Sequence, residues 1–477
     1  MTGWLCAVAL ALAPRAYGQG LPDLGGVADA PITPQIERRI GESVVRDIRS
    51  RDPSYLDDPE IEDYLGALGS RLAQANPGAR QDFEFFVLRD STINAFALPG
   101  GFVGVHTGLI TMAETESELA SVLGHEIAHV TQRHMARMLG QQQQMQVPVL
   151  AAIAAAILLG RSRPDLAAGA AIGAQGAAVQ SQLSYTRDYE READRVGLQS
   201  LQAAGFDPRA MAVFFDKMQR ATRLSDDGSV PGYLRTHPLN TERIADAQSR
   251  AASLPYRQHL DSPEFQLVRA KLRAESGEAG DAVSHFDSSV REKRYASEAA
   301  ARYGLAAALL RARRAQEADA ELGRLRAIVS VAMVETLAAR IKQALGDKAG
   351  ASALLTAARA KYPYSRPLLY AQVGALEDAG RHQEALAANA EPLRQYPRDV
   401  RLYALQSKIY ASLGKRFLQH QAQAEVYALQ GSLPAAIEQL QFARSAGDGD
   451  FYQLSVVDVR IRELRAQHAQ ETKDLKR

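Results

Sequence analysis

The chain has 477 residues, with 56 Lys plus Arg against 55 Asp plus Glu and 46% apolar positions. A near-zero net charge excludes a global field for nucleic acid, and ordinary Gly and Pro contents exclude collagen-like or wholly disordered chains. No apolar run reaches the roughly 20 residues of a membrane-spanning helix.

In chain order, Trp4 to Ala13 is a short apolar stretch followed by Ala16-Tyr17-Gly18. Small residues at the first and third positions before a cut predict an export signal over residues 1–18, although no cation precedes the apolar stretch. Cleavage there removes Cys6 and Trp4, the only cysteine and tryptophan. A chain without thiol suits an oxidising compartment and excludes thiolate zinc sites and cysteine nucleophiles. Residues 19–50 read as a Gly/Pro/Asp-rich leader and a first helix.

Residues 51–255 carry the signals of an α+β domain. Asp82 to Leu88 predicts a strand, and the Pro99-Gly100-Gly101 turn leads into a β-rich run over Phe102–Val105. Thr115 and Glu118 form a capping box that opens a helix expected over 116–139. The low-complexity segment 141–180 contains the apolar run Val147–Leu159, which is too short to span a membrane. It reads as a buried helix or a lid, and residues 147–180 offer a peripheral membrane contact. A further helix is expected from Arg187 to Ala204, stopping at Gly205.

From residue 262 to 477 the composition shifts to Ala, Leu, Gln, Glu and Arg with helical periodicity. Gly346, Gly380 and Gly414 stand 34 residues apart, and Tyr362-Pro363 returns as Tyr396-Pro397. Ala282, Ala351, Ala385 and Ala436 each lie five residues past a turn glycine. A 34-residue helix–turn–helix period predicts an α-solenoid of tetratricopeptide repeats. The fold class is therefore mainly α: an α+β zincin-type domain followed by that solenoid.

The chemistry concentrates in His125-Glu126-Ile127-Ala128-His129. Residues i and i+4 of a helix point to one side, so His125 and His129 can share a metal while Glu126 reaches a water beside it. A catalytic zinc needs a third protein ligand and one open position. Glu190 and Asp194 lie one turn apart, so one carboxylate can bind the metal while the other orients a ligating histidine. Glu192, His134 and His106 read as solvated or structural, and His237, before a proline, as a loop residue.

His125 to His134, Glu190 to Asp194, the turn and strand over Phe96–Leu109, and His237-Pro238 through Arg243 together resemble the BepA (YfgC)-type metalloproteases. These are periplasmic gluzincins with C-terminal tetratricopeptide repeats, soluble relatives of the HtpX and CAAX-processing proteases. The resemblance covers nearly the whole mature chain in the right order. It implies one Zn2+ per chain on His125, His129 and Glu190, with Asp194 supporting a ligand. It implies that His237 reaches the metal as a gate or a transition-state donor, and that Glu126 acts as the base on a zinc-activated water.

The implied function is an exported endopeptidase that degrades misassembled proteins and assists outer-membrane β-barrel assembly. Its clients would be unfolded or stalled barrel proteins, held as extended strands by the edge near Phe102–Val105. Its repeats would dock on the β-barrel assembly machinery. The expected location is the periplasm, with membrane association open. The competing reading is a chaperone or assembly factor whose zinc site is autoinhibited. A membrane-embedded zinc protease would need spanning helices that this sequence lacks.

Overall fold

The computed structural model describes residues 32–141, 187–224, 232–256 and 258–474. The expected export signal over 1–18, the leader over 19–31 and nearly all of the 141–180 segment lie outside the described residues. Helix α1 (Pro34–Arg51) starts at Thr33, whose hydroxyl accepts from the Ile36 amide, and turns Ile40, Val44, Val45 and Ile48 inward. Helix α2 (Pro59–Gln74) is capped by Asp58 and buries Ile61, Leu65, Leu68 and Leu72 at helical spacing.

Three short strands follow: β1 (Glu84–Leu88), β2 (Ala95–Leu98) and β3 (Phe102–His106). Their order is β1-β3-β2, with β3 parallel to β1 and antiparallel to β2. This corrects the expected substrate edge. The Phe102–Val105 run is the central strand, hydrogen-bonded on both sides, whereas β2 pairs on one side only among the described residues. The hairpin after Leu98 folds β3 back into the middle because β1 and β2 both need an apolar partner.

After the short α3 (Thr107–Met112), α4 (Glu116–Thr131) opens at Thr115, which accepts from the Glu118 amide. The single helix expected over 116–139 is in fact two. Gln132 caps α4, Arg133 takes a left-handed φ of 52°, and α5 (His134–Gln141) begins immediately after. A non-glycine residue there costs about 1–2 kcal/mol; Arg133 is held by Glu37 and by the Ile32 carbonyl.

Helix α6 (Arg187–Ala203) packs along α4. The two backbones approach most closely at Gly124 and Gly197. A Cβ on Gly197 would stand 3.0 Å from the His125 amide nitrogen and 3.1 Å from the Gly124 carbonyl carbon. Helices α7 (Arg209–Leu224), α8 (Gly232–Thr236) and α9 (Thr241–Ser253) complete this half.

Twelve helices, α10 (Pro263–Glu275) to α21 (Phe451–Asp474), form the helical repeats. The repeat glycines Gly346, Gly380 and Gly414 take φ of 85°, 75° and 69°, each ending a helix in the left-handed conformation. Ala351, Ala385 and Ala436 are fully buried, and Ala282 nearly so, where paired helices meet. The structure adds an equivalent turn that the glycine spacing conceals: Arg313, at φ 61°, donates to the Leu310 carbonyl as Gly346 does to that of Gln343.

One hydrophobic core runs from Leu56 through the sheet and α4 into the repeats as far as Ile341. Residues from 262 onward therefore meet the preceding half across a buried seam. In that seam Lys271 reaches Asp58 at 2.5 Å and Glu60 at 2.6 Å, and Thr336 also bonds Glu60. No helix among the described residues is long and apolar enough to cross a membrane.

The exposed Arg313 keeps a left-handed turn that glycine adopts freely. Arg313→Gly should therefore stabilise the repeats by about 0.5–1 kcal/mol, the conformational relief less the extra unfolded-state entropy. Equilibrium urea unfolding of the two proteins checks the sign.

Candidate active site

The helix α4 delivers His125 and His129 one turn apart, and α6 crosses it to bring Glu190 and Asp194 alongside. The short α8 adds a fifth group: the Tyr233 amide donates to the Ile93 carbonyl, and the His237 amide donates to the Tyr233 carbonyl. His125, His129, Glu190 and His237 are all buried and offer ligand atoms within 4.8 Å of one another.

His125 Nε2 lies 2.9 Å from His129 Nε2, 3.4 Å from His237 Nδ1 and 3.5 Å from Glu190 Oε2. His129 Nε2 is 3.4 Å from Glu190 Oε1, and His237 Nδ1 is 3.0 Å from that same oxygen. Nitrogens sharing a tetrahedral zinc at about 2.0–2.1 Å stand roughly 3.3 Å apart. The convergent lone pairs, with a buried carboxylate among them, fit a zinc ion. Neither Glu126 oxygen has a hydrogen-bond partner among the described residues, although the side chain is fully buried. His237 Nε2 stands 3.5 Å from Glu126 Oε1.

Burial pushes the Glu126 carboxyl above the usual range, with His237 and His125 opposing. At Glu190 burial acts in the same direction, but His237, His125 and His129 outweigh it and hold the carboxyl well below the usual range. Asp194 is also held low: burial opposes ionisation, while Arg243 and His125 favour it more strongly. Asp194 Oδ1 lies 2.9 Å from His125 Nδ1, on the side of the ring away from the cluster.

Two residues enter the site that sequence reasoning left without a role. Arg243, on α9, is buried; its Nε and Nη2 donate to the two Asp194 oxygens at 2.7 and 2.8 Å, and its Nη1 lies 2.7 Å from Glu190 Oε2. Its signal was present: Arg243 shares one helix face with Ala247 and Ala251, both buried, and a lone cation on an apolar stripe needs a buried anion. Tyr233 is buried and stacks on His237 with ring centroids 4.7 Å apart.

One expectation fails. His134, read as solvated, is fully buried, with its Nδ1 2.9 Å from His129 Nδ1. The break at Arg133 turns α5 so that His134 folds back under His129 instead of pointing about 140° away. Glu192, read as solvated, keeps 36% of its side chain exposed, yet it accepts from Arg137 at 2.9 Å and lies 3.1 Å from His134 Nε2. His106 is structural as read, buried at the end of β3 against Thr92 and Asp90.

Removing the cation from this arrangement exposes its energetics. Arg243→Met in the zinc-free chain leaves Asp194 and Glu190 buried without their cation. It should cost about 3–5 kcal/mol, and Arg243→Lys less; urea unfolding in the presence of a chelator measures both.

Residues 59–251 match the Peptidase family M48 model. The chain is 34% identical over 457 residues to the beta-barrel assembly-enhancing protease of Escherichia coli (strain K12), covering 93% of this chain and 91% of that protein. It is 40% identical over 258 residues to the putative beta-barrel assembly-enhancing protease of Vibrio cholerae, where the match spans 53% of this chain and 52% of that protein. Over 228 residues it is 29% identical to the mitochondrial metalloendopeptidase OMA1 of Arabidopsis thaliana, spanning 48% of this chain and 44% of that protein. With a buried His/Glu cluster suited to zinc lying inside the matched segment, the chain belongs to peptidase family M48 as a zinc-dependent metalloendopeptidase, and it groups with the beta-barrel assembly-enhancing proteases.

Proposed function

We propose that this protein is an exported, periplasmic zinc endopeptidase that cleaves unfolded or stalled outer-membrane β-barrel proteins and docks through its repeats on the β-barrel assembly machinery. The observation that carries the reading is a buried zinc-type cluster on α4 and α6 lying beside β2, a strand that pairs on one side only among the described residues. An extended chain added to that edge by backbone pairing would run past the cluster, so selection would act on unpaired strands more than on a sequence motif. A barrel strand still lacking its neighbour has that form.

His125, His129 and Glu190 are the proposed zinc ligands, and Asp194 would hold His125 with Nδ1 protonated and Nε2 free to bind. Zinc held there supplies Lewis acidity, polarising a carbonyl and acidifying water. Glu126, with two unpartnered oxygens and a carboxyl pushed up by burial, accepts the proton of the attacking water and returns it to the leaving amine nitrogen. The apolar core around it excludes bulk water and keeps that proton in the pair.

His237 is proposed to gate the site. Its Nδ1 lies within the ligand cluster, where it would take the position that substrate or water needs, and it directly follows α8. Binding that favours an open state would withdraw it. Its proximity to the ligands also favours the guarded-site reading, in which assembly assistance outweighs proteolysis until that opening occurs. Domain limits of 51–255 for the protease and 262–477 for the tetratricopeptide repeats belong to the same proposal.

Glu126→Gln should retain zinc and lower peptide hydrolysis by about 10²–10⁴-fold, the usual weight of a general base. The same variant should trap barrel clients in pull-downs. Wild-type turnover in Glu126→Gln would overturn the mechanism. His237→Ala should raise basal cleavage of casein or of the chain itself; a fall in activity would instead assign His237 as a transition-state donor.

A further inference from the structure

His125 and His129 have the same chemical requirement. Each must present Nε2 as a bare lone pair, so each must carry its proton on Nδ1. For His125 the arrangement is direct. Nδ1 stands 2.9 Å from the Asp194 carboxylate, which can only accept, so a proton on Nδ1 is the one this contact favours. For His129 the described partner at that place is not a carboxylate. Its Nδ1 faces another imidazole nitrogen, His134 Nδ1, at 2.9 Å. Two imidazole nitrogens at this distance share one proton, and the pair alone does not say which holds it.

The far side of His134 decides the matter. His134 Nε2 lies 3.1 Å from Glu192 Oε2, and Arg137 donates to the same oxygen at 2.9 Å. Paired with the Arg137 guanidinium, the Glu192 carboxylate accepts only. His134 must therefore carry its proton on Nε2. A proton on His134 Nδ1 would face the one that a metal-binding His129 carries on its own Nδ1, so only one of the two nitrogens holds it. Its Nδ1 is then bare and accepts from His129 Nδ1–H. His129 Nε2 is left deprotonated, facing His125 and Glu190.

Tyr189, next to the proposed ligand Glu190, stacks on the His134 ring at 4.7 Å and 16°. That contact fixes the plane of the His134 ring.

We propose that His134 is a positioning residue that, together with Glu192 behind it, sets the tautomer of His129 so that Nε2 is presented to the metal. The proposal rests on the reading of His129 as a zinc ligand. The two histidines of the motif are then held by parallel devices, each ending in a carboxylate–arginine pair: Asp194 with Arg243, and Glu192 with Arg137. The second device inserts a neutral imidazole between ligand and carboxylate. The reason is electrostatic. Glu126, Glu190 and Asp194 are already buried here with one buried guanidinium among them, and a fourth buried anion would carry a desolvation penalty with no cation to offset it. His134 transmits the requirement and leaves the charge on Glu192 near the surface.

The test is zinc affinity by chelator competition in the full-length chain, with imidazole tautomers read from 15N-histidine NMR. Removing such a supporting partner typically weakens metal binding about 10–100-fold. His134→Phe, which keeps the ring but offers no acceptor, should show that loss. His134→Asn, whose Oδ1 falls close to the place of Nδ1, should recover most of it. Glu192→Gln can donate to His134 Nε2 and reverse its tautomer; it should also weaken zinc, while the zinc-free protein melts as the wild type does. Asp188→Asn, a surface change on the same helix, should alter affinity less than twofold.

Equal zinc affinity for His134→Phe, Glu192→Gln and wild type would overturn the proposal. Equal loss in the Phe and Asn variants would do the same, because it would assign His134 a packing role alone. His129→Gln separates this from the reading beneath it: unchanged affinity there would remove His129 from the ligand set and the proposal with it.

Discussion

The Arg243 guanidinium spans Asp194 and Glu190 inside a core where neither carboxylate meets bulk water, and the rest of the site is arranged around that contact. A buried carboxylate without a partner protonates or unfolds its surroundings. With Arg243 in place both stay ionised: Asp194 can then accept from His125, and Glu190 can bind a cation. Arg243 also donates to the Pro238 carbonyl, so the same side chain secures the segment that carries His237. The chemistry of α4 and the geometry of α8 thus share one anchor.

Delivering those groups to one point is a packing problem that glycine solves. Helices α4 and α6 must cross closely enough for carboxylates on one to reach imidazoles on the other. At Gly124 and Gly197 the backbones come within the distance that a single Cβ would occupy. The sheet lies against the same helix. Since β3 is central, the strand next to α4 is β2, which pairs on one side only among the described residues.

The repeats are joined to this half by more than a tether. Lys271 on α10 is buried between Asp58 and Glu60, and the apolar core continues through Phe265, Val268 and Tyr303 into Val334 and Leu337. Further along the solenoid, Arg401 pairs with Glu62 and Asp57, so α2 is gripped at several points by helices far from it in sequence. Of these contacts the Lys271 cluster is buried, whereas the Arg401–Asp57 pair lies at the surface.

Much of the fold was legible in the sequence because its signals are local. The capping box at Thr115, the i and i+4 histidines, the paired acids on α6 and the 34-residue glycine spacing all depend on neighbours within a few turns. They establish which helices exist and which faces they present. Tertiary structure alone decided the rest, where a residue's role depends on partners distant in sequence or on a backbone conformation that its neighbours do not favour. Arg133 takes a left-handed turn because Glu37 and Ile32 hold it there, and that turn converts His134 from a surface residue into the partner of His129. Arg313 makes the same turn without glycine and so hides one repeat from the spacing. Strand order followed from which faces needed covering, not from any single strand's own residues. Arg243 lies on an apolar stripe that only the approach of α6 explains. Local periodicity sets what each element is; the compensation of buried charge sets where the elements must meet.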